Sequence, residues 1–336
     1  MRFGLFGGAL RNRPGEPGYG GIYGRFVDKV VEAEQLGFEA VFLVEHHFTG
    51  RGDISASLSV LAHLAGRTST MRLGTAVTVL PWHVPLLLAE QAATVDVLSH
   101  GRLDFGVGRG YRPNEFHGFE IDPAEATARF NESLEILQKA WTTEGRFSHD
   151  GRYWQFRDVI VEPQPIQRPH PPIWVAGSSE GTVKTAAARG YRLLLDQFGT
   201  VARTAQRVAW FREGCEAAGR PYNPEHLALT RGLLLLESDD PSEREEAITR
   251  RIAAIGQLRD SSRIPGQAAP PKEEHAFYDD SRESSESAAI LGPPDECIAR
   301  LQELRDVGIE TVLFGDYRVD AEGLRRFAKE VMPALQ

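Results

Sequence analysis

The stretch Tyr23–Glu45 reads YGRFVDKVVEAEQLGFEAVFLVE and holds one complete helix-to-strand unit. Phe26, Val30, Ala33 and Leu36 recur at helical spacing, so they line one face of an amphipathic helix over Tyr23–Leu36. Gly37 supplies the left-handed turn that ends such a helix. The run Ala40–Glu45 follows, short and almost continuously apolar, as in a strand covered on both faces.

The same unit repeats along the chain. Leu36-Gly37, Arg189-Gly190, Ala218-Gly219 and Val307-Gly308 each mark a helix giving way to the next strand. Strands are predicted at Arg2–Gly8, Ala40–Glu45, Arg72–Leu80, Leu103–Gly108, Pro172–Ala176, Arg192–Asp196, Ala228–Leu236 and Thr311–Gly315. Helices fall between them at Ser57–Gly66, Pro85–Leu98, Pro123–Trp141, Thr182–Ala188, Val201–Ala218 and Ser242–Leu258, with Asp295–Val307 near the end. Eight parallel strands with interleaved helices suit a closed (β/α)8 TIM barrel better than an open doubly wound α/β sheet. Such barrels accommodate a long chain as one unit, so residues 1–336 are expected to form a single domain.

Two segments break the rhythm. Residues 145–172 carry an aromatic run at Tyr153-Trp154 and then Pro163, Pro165, Pro169, Pro171 and Pro172, the mark of a small hairpin with a proline-pinned return. Residues 259–291, after the seventh strand, are polar and proline-containing, as in a long mobile loop that is either a lid or a disordered insertion.

Composition narrows the class. The chain is 41% hydrophobic and 25% charged, with a net charge of −9, which suits a packed protein and argues against nucleic-acid or anionic-membrane partners. No apolar stretch approaches the ~20 residues of a membrane helix. Cys215 and Cys297, in helix-like polar surroundings, form neither a disulfide framework nor a zinc site, so a reducing cytoplasm is expected.

Barrels place their chemistry after the C-terminal ends of the strands. Glu45, His46 and His47 follow the second strand, and Pro81, Trp82 and His83 the third. Gly108-Arg109-Gly110-Tyr111-Arg112 follows the fourth, Gly177–Thr182 the fifth and Gln197 the sixth. Histidine titrates near neutrality, so His46 or His47 is the acid/base candidate. A metal site on these histidines lacks a further ligand at a suggestive spacing, and a purely structural pair at a strand end is the plain alternative. The Gly177-Ser178-Ser179 turn entering a helix at Thr182 suits a phosphate, as does Arg109, although serine and threonine also cap ordinary helices.

Taken together, Glu45-His46-His47-Phe48, Gly74–Pro81, Leu98–Leu103, Phe105–Gly110 and Val175–Ser179 resemble the bacterial luciferase-like superfamily of flavin-dependent oxidoreductases. They stand in the family's order, and Gly292–Cys297 resembles its entry to the last barrel helix. The resemblance implies a TIM barrel, a reduced FMN cofactor (FMNH2) and His46 as the catalytic histidine. It places a non-proline cis peptide at Ala76-Val77 under the flavin ring and phosphate contacts at Arg109, Gly177, Ser178, Ser179 and Thr182. His47, Leu80, Trp82 and Tyr111 are the substrate-side residues, and Glu45 is an orienting partner. Gly108 and Gly177 depart from the light-emitting subunit, which has a cysteine and a glutamate there. Light emission on a long-chain aldehyde is therefore not implied.

The function this implies is a two-component monooxygenase. It takes reduced FMN from a separate flavin reductase, uses O2, and oxygenates a small organic substrate, as a homodimer paired through helices at the barrel edge. An F420-dependent hydride-transferring oxidoreductase is the alternative, with Arg112 and Arg152 as a basic pocket for the cofactor's tail. A non-catalytic flavin-binding protein is the third reading.

Overall fold

Short apolar strands cover both of their faces by closing on one another inside a ring of helices. The computed structural model describes residues 1–9, 18–51, 53–267, 279–315 and 321–335. The strands are β1 (Arg2–Gly7), β2 (Ala40–Leu43), β3 (Arg72–Thr75), β4 (Thr78–Val79), β5 (Leu103–Gly108), β6 (Phe147–Asp150), β7 (Gln155–Val159), β8 (Ile173–Ala176), β9 (Arg192–Leu195), β10 (Leu227–Leu235), β11 (Ala289–Gly292) and β12 (Thr311–Phe314). Parallel pairing runs β1-β2-β3-β5-β8-β9-β10-β12 and returns from β12 to β1, so the barrel is closed rather than an open sheet.

The register sorts side chains into two cores. Ala40, Phe42, Trp174, Leu194, Ala228 and Leu313 point into the barrel and pack on one another. Their neighbours Val41, Leu73, Phe105, Val175, Leu193, Leu229 and Val312 point outward into the larger core beneath the helices. Asp104, Arg72 and Arg192 pair at the N-terminal end of the barrel, far from the strand ends that carry chemistry.

The helices are α1 (Tyr19–Gln35), α2 (Ser57–Ala65), α3 (Pro85–Leu98), α4 (Pro113–Gly118), α5 (Ala126–Thr142), α6 (Glu180–Arg189), α7 (Val201–Ala217), α8 (Pro241–Asp260), α9 (Arg282–Ser287), α10 (Pro294–Asp306) and α11 (Ala321–Glu330). Helix α1 begins at Tyr19, earlier than its glycines suggest, because Ile22 extends the buried face of Phe26, Val27, Val30 and Ala33. Segment 145–172 is the expected hairpin: β6 and β7 pair antiparallel, and the peptides before Pro163 and Pro169 are cis.

Segment 259–291 differs from the expected long loop. Helix α8 runs to Asp260, α9 occupies Arg282–Ser287, and β11 joins β10 in parallel. The middle of the segment, 268–278, lies outside the described residues. The apolar Ala289–Leu291 was hidden by the serine- and glutamate-rich stretch before it. The two cysteines also differ from expectation: both are buried, Cys215 on the inner face of α7 and Cys297 on that of α10.

Candidate active site

The third predicted strand is interrupted, and the interruption builds the site. β3 ends at Thr75, the Ala76–Val77 peptide is cis, and β4 resumes at Thr78 against β5. Thr75 and Gly106 lock this bend. The Thr75 hydroxyl donates to the Gly106 carbonyl at 2.7 Å and accepts from the Gly106 amide at 2.9 Å. Only glycine fits at 106, since an added Cβ would lie 1.8 Å from the Thr75 carbonyl oxygen. Ala76 and Val77 stay partly exposed at the barrel mouth beside Phe6. At Gly108 a Cβ would lie 2.4 Å from Val77 Cγ2, so the missing side chain keeps this floor low.

Glu45 is the hub of one wall. It is 2% exposed, and its Oε1 accepts from His47 Nε2 at 3.0 Å and from His83 Nε2 at 2.9 Å. Its other oxygen accepts from the Val79 amide at 3.2 Å, tying the end of β2 to β4. Burial alone would raise this carboxyl, but the hydrogen bonds from His47 and His83 outweigh it and hold Glu45 below the ordinary carboxylate range.

His46 belongs to a different carboxylate. Its Nδ1 lies 3.0 Å from Glu115 Oε1, and the same oxygen accepts the His47 amide at 3.0 Å. Glu115 sits on the short helix α4 and is 1% exposed. Burial and the nearby Arg112 guanidinium lower the His46 pKa, and the Glu115 and Asp53 carboxylates only partly offset this. His46 is thus a neutral imidazole at pH 7, anchored at Nδ1, with Nε2 left for a partner in the pocket. Tyr111 meets its ring edge-on at 6.3 Å.

The far rim is the start of α6. Ser179 caps it, accepting from the Thr182 amide at 3.4 Å and donating to the Thr182 hydroxyl at 3.0 Å. The amides of Glu180 and Gly181 fall in the first turn, where no preceding carbonyl accepts them, so this end can receive an anion. Ser178 and Ser179 are exposed, and Gly177 has no room for a side chain, because its Cβ would lie 2.3 Å from Thr182 Cγ2. Arg109 is exposed at the end of β5, held by the Thr127 hydroxyl at 3.1 Å.

Trp82 stacks on Phe119 at 5.0 Å and meets Phe116 edge-on, while His47 meets Phe119 at 4.9 Å. This aromatic group sits beside the two histidines. Leu80 does not join it. It is fully buried in the outer core, in the 3-10 turn Leu80–Trp82 that follows β4, and it offers no surface to a substrate. Arg112 and Arg152 do not come together either. Arg112 is buried against Tyr111 and Ser261, whereas Arg152 is exposed on the hairpin over the Tyr153 ring. Among the described residues, no three His, Cys, Asp or Glu side chains are placed to hold a metal ion.

Glu115 was not legible as a site residue in the sequence, and His83 stood there without a role. An acid directly after the fourth strand's loop was the available signal. Its target was invisible because Glu115 and His46 are 69 residues apart.

A closed parallel barrel with a carboxylate-anchored histidine and an anion-receiving helix start at one mouth is the architecture of a barrel enzyme with a site for an anionic ligand. The chain belongs to the luciferase-like monooxygenase family, whose model matches residues 1–311, and it is accordingly a flavin-dependent oxidoreductase of the monooxygenase type. It is 27% identical over 328 residues to the oxygenase component of a flavin-dependent trigonelline monooxygenase from Acinetobacter baylyi, covering 94% of this chain and 90% of the relative. Two solved structures share its fold. One is the oxygenating constituent of 3,6-diketocamphane monooxygenase from Pseudomonas putida with FMN bound, at 20% identity and TM-score 0.81, covering 100% of this chain and 99% of that one. The other is an F420-dependent secondary alcohol dehydrogenase, at 18% identity and TM-score 0.78, also covering 100% and 99%.

Proposed function

We propose that this chain is the oxygenase component of a two-component monooxygenase. It receives reduced FMN from a separate flavin reductase and, with O2, oxygenates a small organic substrate. The observation that carries the reading is the single mouth on which the Ala76–Val77 floor, the Arg109 and α6 rim, and the Glu115-anchored His46 all open.

The residues present fit the cofactor. The low floor left by Gly108 accepts a flat ring, and the first turn of α6 with Ser178, Ser179 and Arg109 accepts its phosphate. Reduced flavin would supply the electrons that activate O2. The protein's own work is to orient the substrate, exclude water and manage protons. His46 Nε2, neutral at pH 7, takes a proton from the substrate or returns one to product. Trp82, Phe116, Phe119 and Tyr111 hold an apolar or aromatic substrate against it.

The name of the Acinetobacter relative, an oxygenase component, supports the separate reductase. The separation of Arg112 from Arg152 counts against the F420 reading, since no shared basic pocket forms for an anionic tail. A homodimer is part of the proposal: Leu87 and Leu98, 56% and 53% exposed, lie on one face of α3 that a second copy would cover. A cytoplasmic location is proposed with it.

Anaerobic titration with reduced FMN, riboflavin and F420 tests the reading. Tight binding of reduced FMN, weaker binding of riboflavin and none of F420 are expected. Tight F420 binding with no response to reduced FMN overturns it. Mixing the reduced-FMN complex with O2 should return the oxidised flavin spectrum more slowly than free reduced FMN does. A return at the free rate favours a non-catalytic flavin binder.

A further inference from the structure

We propose that Glu115 is the positioning residue of this active site, fixing the neutral His46 as its Nδ1–H tautomer and so turning a bare Nε2 toward the substrate. The inference rests on the reading of His46 as the proton-handling group.

Three observations point the same way. Glu115 Oε1 lies 3.0 Å from His46 Nδ1, and a carboxylate can only accept there, so the proton of the neutral ring stands on Nδ1. The same oxygen accepts the His47 amide at 3.0 Å, which locks the backbone that carries the ring as well as the ring itself. The carboxylate cannot swing away, because it is 1% exposed on a helix whose next residue, Phe116, packs on Trp82.

The neighbouring histidines have the opposite assignment. His47 and His83 both meet Glu45 through Nε2, and a carboxylate can only accept there, so in each ring that nitrogen carries a proton. Two buried carboxylates thus hold three adjacent histidines by different ring nitrogens, and His46 is the one held at Nδ1, which leaves its Nε2 unprotonated. Asn114 braces the arrangement, its side-chain amide donating to the His47 carbonyl at 3.2 Å.

The charged groups facing His46 are Glu115, Asp53 and Arg112. Burial, with Arg112, keeps the ring from charging, while Glu115 orients it; either carboxylate alone against this imidazole would favour the cation. Removing the Glu115 charge while keeping its shape therefore changes His46 in a way that loss of packing does not.

The test is imidazole nitrogen NMR of the flavin-free protein with labelled histidine, His46 being assigned by its loss in His46→Asn. The wild type should show His46 as the Nδ1–H tautomer, with His47 and His83 carrying a proton at Nε2. In Glu115→Gln the His46 titration should move down by about one pH unit, the low end for loss of a contacting charge. In Glu115→Ala the Nδ1–H preference should be lost. An Nε2–H tautomer for His46 in the wild type, or an unmoved titration in Glu115→Gln, overturns the proposal whatever the activity. Failure of the underlying reading is separate: full turnover in His46→Asn would remove the catalytic role of His46 while leaving these spectra as expected. With turnover retained in the wild type, Glu115→Gln should lower kcat on the order of a hundredfold with KM little changed, the scale of one proton-transfer group.

Discussion

The Thr75 hydroxyl and the Gly106 backbone exchange two hydrogen bonds, at 2.7 and 2.9 Å, directly beneath the Ala76–Val77 peptide. Neighbouring strands are tied here by a side chain because β3 stops one residue short of the bend. The floor of the site is therefore held by a buried hydroxyl with no solvent to replace it. Thr75→Val keeps the shape and orphans both Gly106 groups, so it should cost about 1–3 kcal/mol. Urea denaturation measures the loss, and reduced-FMN affinity should fall in the same variant. A stability equal to wild type would show that the floor does not depend on this pair.

Gly108 and Val77 share one small volume, so their substitutions should couple. Gly108→Ala pushes Val77 toward the ring site and should weaken reduced-FMN binding about tenfold, ~1.4 kcal/mol. Adding Val77→Ala removes the atom that is struck, and the double variant should bind better than the sum of the two single effects. Strict additivity in the double-mutant cycle would mean that the two side chains do not meet.

Glu45 receives three donors at once. Glu45→Ala strands His47, His83 and the Val79 amide in a buried wall and should cost at least about 1–3 kcal/mol, the range for buried donors left without a partner. Because one of those donors is on β4, flavin affinity should drop along with stability. Thermal unfolding with and without reduced FMN separates the two losses.

Stability should decline with acid in two windows. Glu45 has a folded pKa below its unfolded value, so its contribution is whole above about 4.3 and is lost as pH falls through the folded pKa. His46 is also lowered, but as a base. The folded state resists protonating it, so stability falls as pH drops from about 6.5 toward its folded pKa. Denaturation midpoints across pH should show a smaller upper decline in His46→Asn than in wild type, the remainder coming from His226, which burial also lowers. The same lowering means that activity needing the neutral ring should persist below pH ~6.5.

Neither thiol should react in the native protein. Burial pushes Cys297 up to about 12, with its Sγ donating to the Gly292 carbonyl at 3.2 Å, and it raises Cys215 as well. Thiolate is the reactive form, so iodoacetamide should label both only after unfolding. Native labelling of Cys297, followed by mass spectrometry, would contradict its place in the core.

The fold was legible in Tyr23–Glu45 and its repeats because periodicity reports burial, and burial on both faces is what a parallel barrel demands of its strands. The order of motifs likewise located the mouth, and Glu45, His46 and Arg109 fall on it. The short β11 and the early start of α1 were not legible, because propensity there is overruled by contacts with distant residues. Leu80, put on the substrate side by the resemblance alone, lies in the outer core instead, at the start of the short turn that follows β4. Which carboxylate serves which histidine was decided only in three dimensions. Glu45 is the neighbour of His46 in the chain, yet strand geometry turns it toward His47 and His83, and the ring of His46 is taken by Glu115 on the short helix α4. Local sequence sets the residue types at the strand ends; closure of the barrel sets their partners, because it alone brings separate loops within hydrogen-bonding distance.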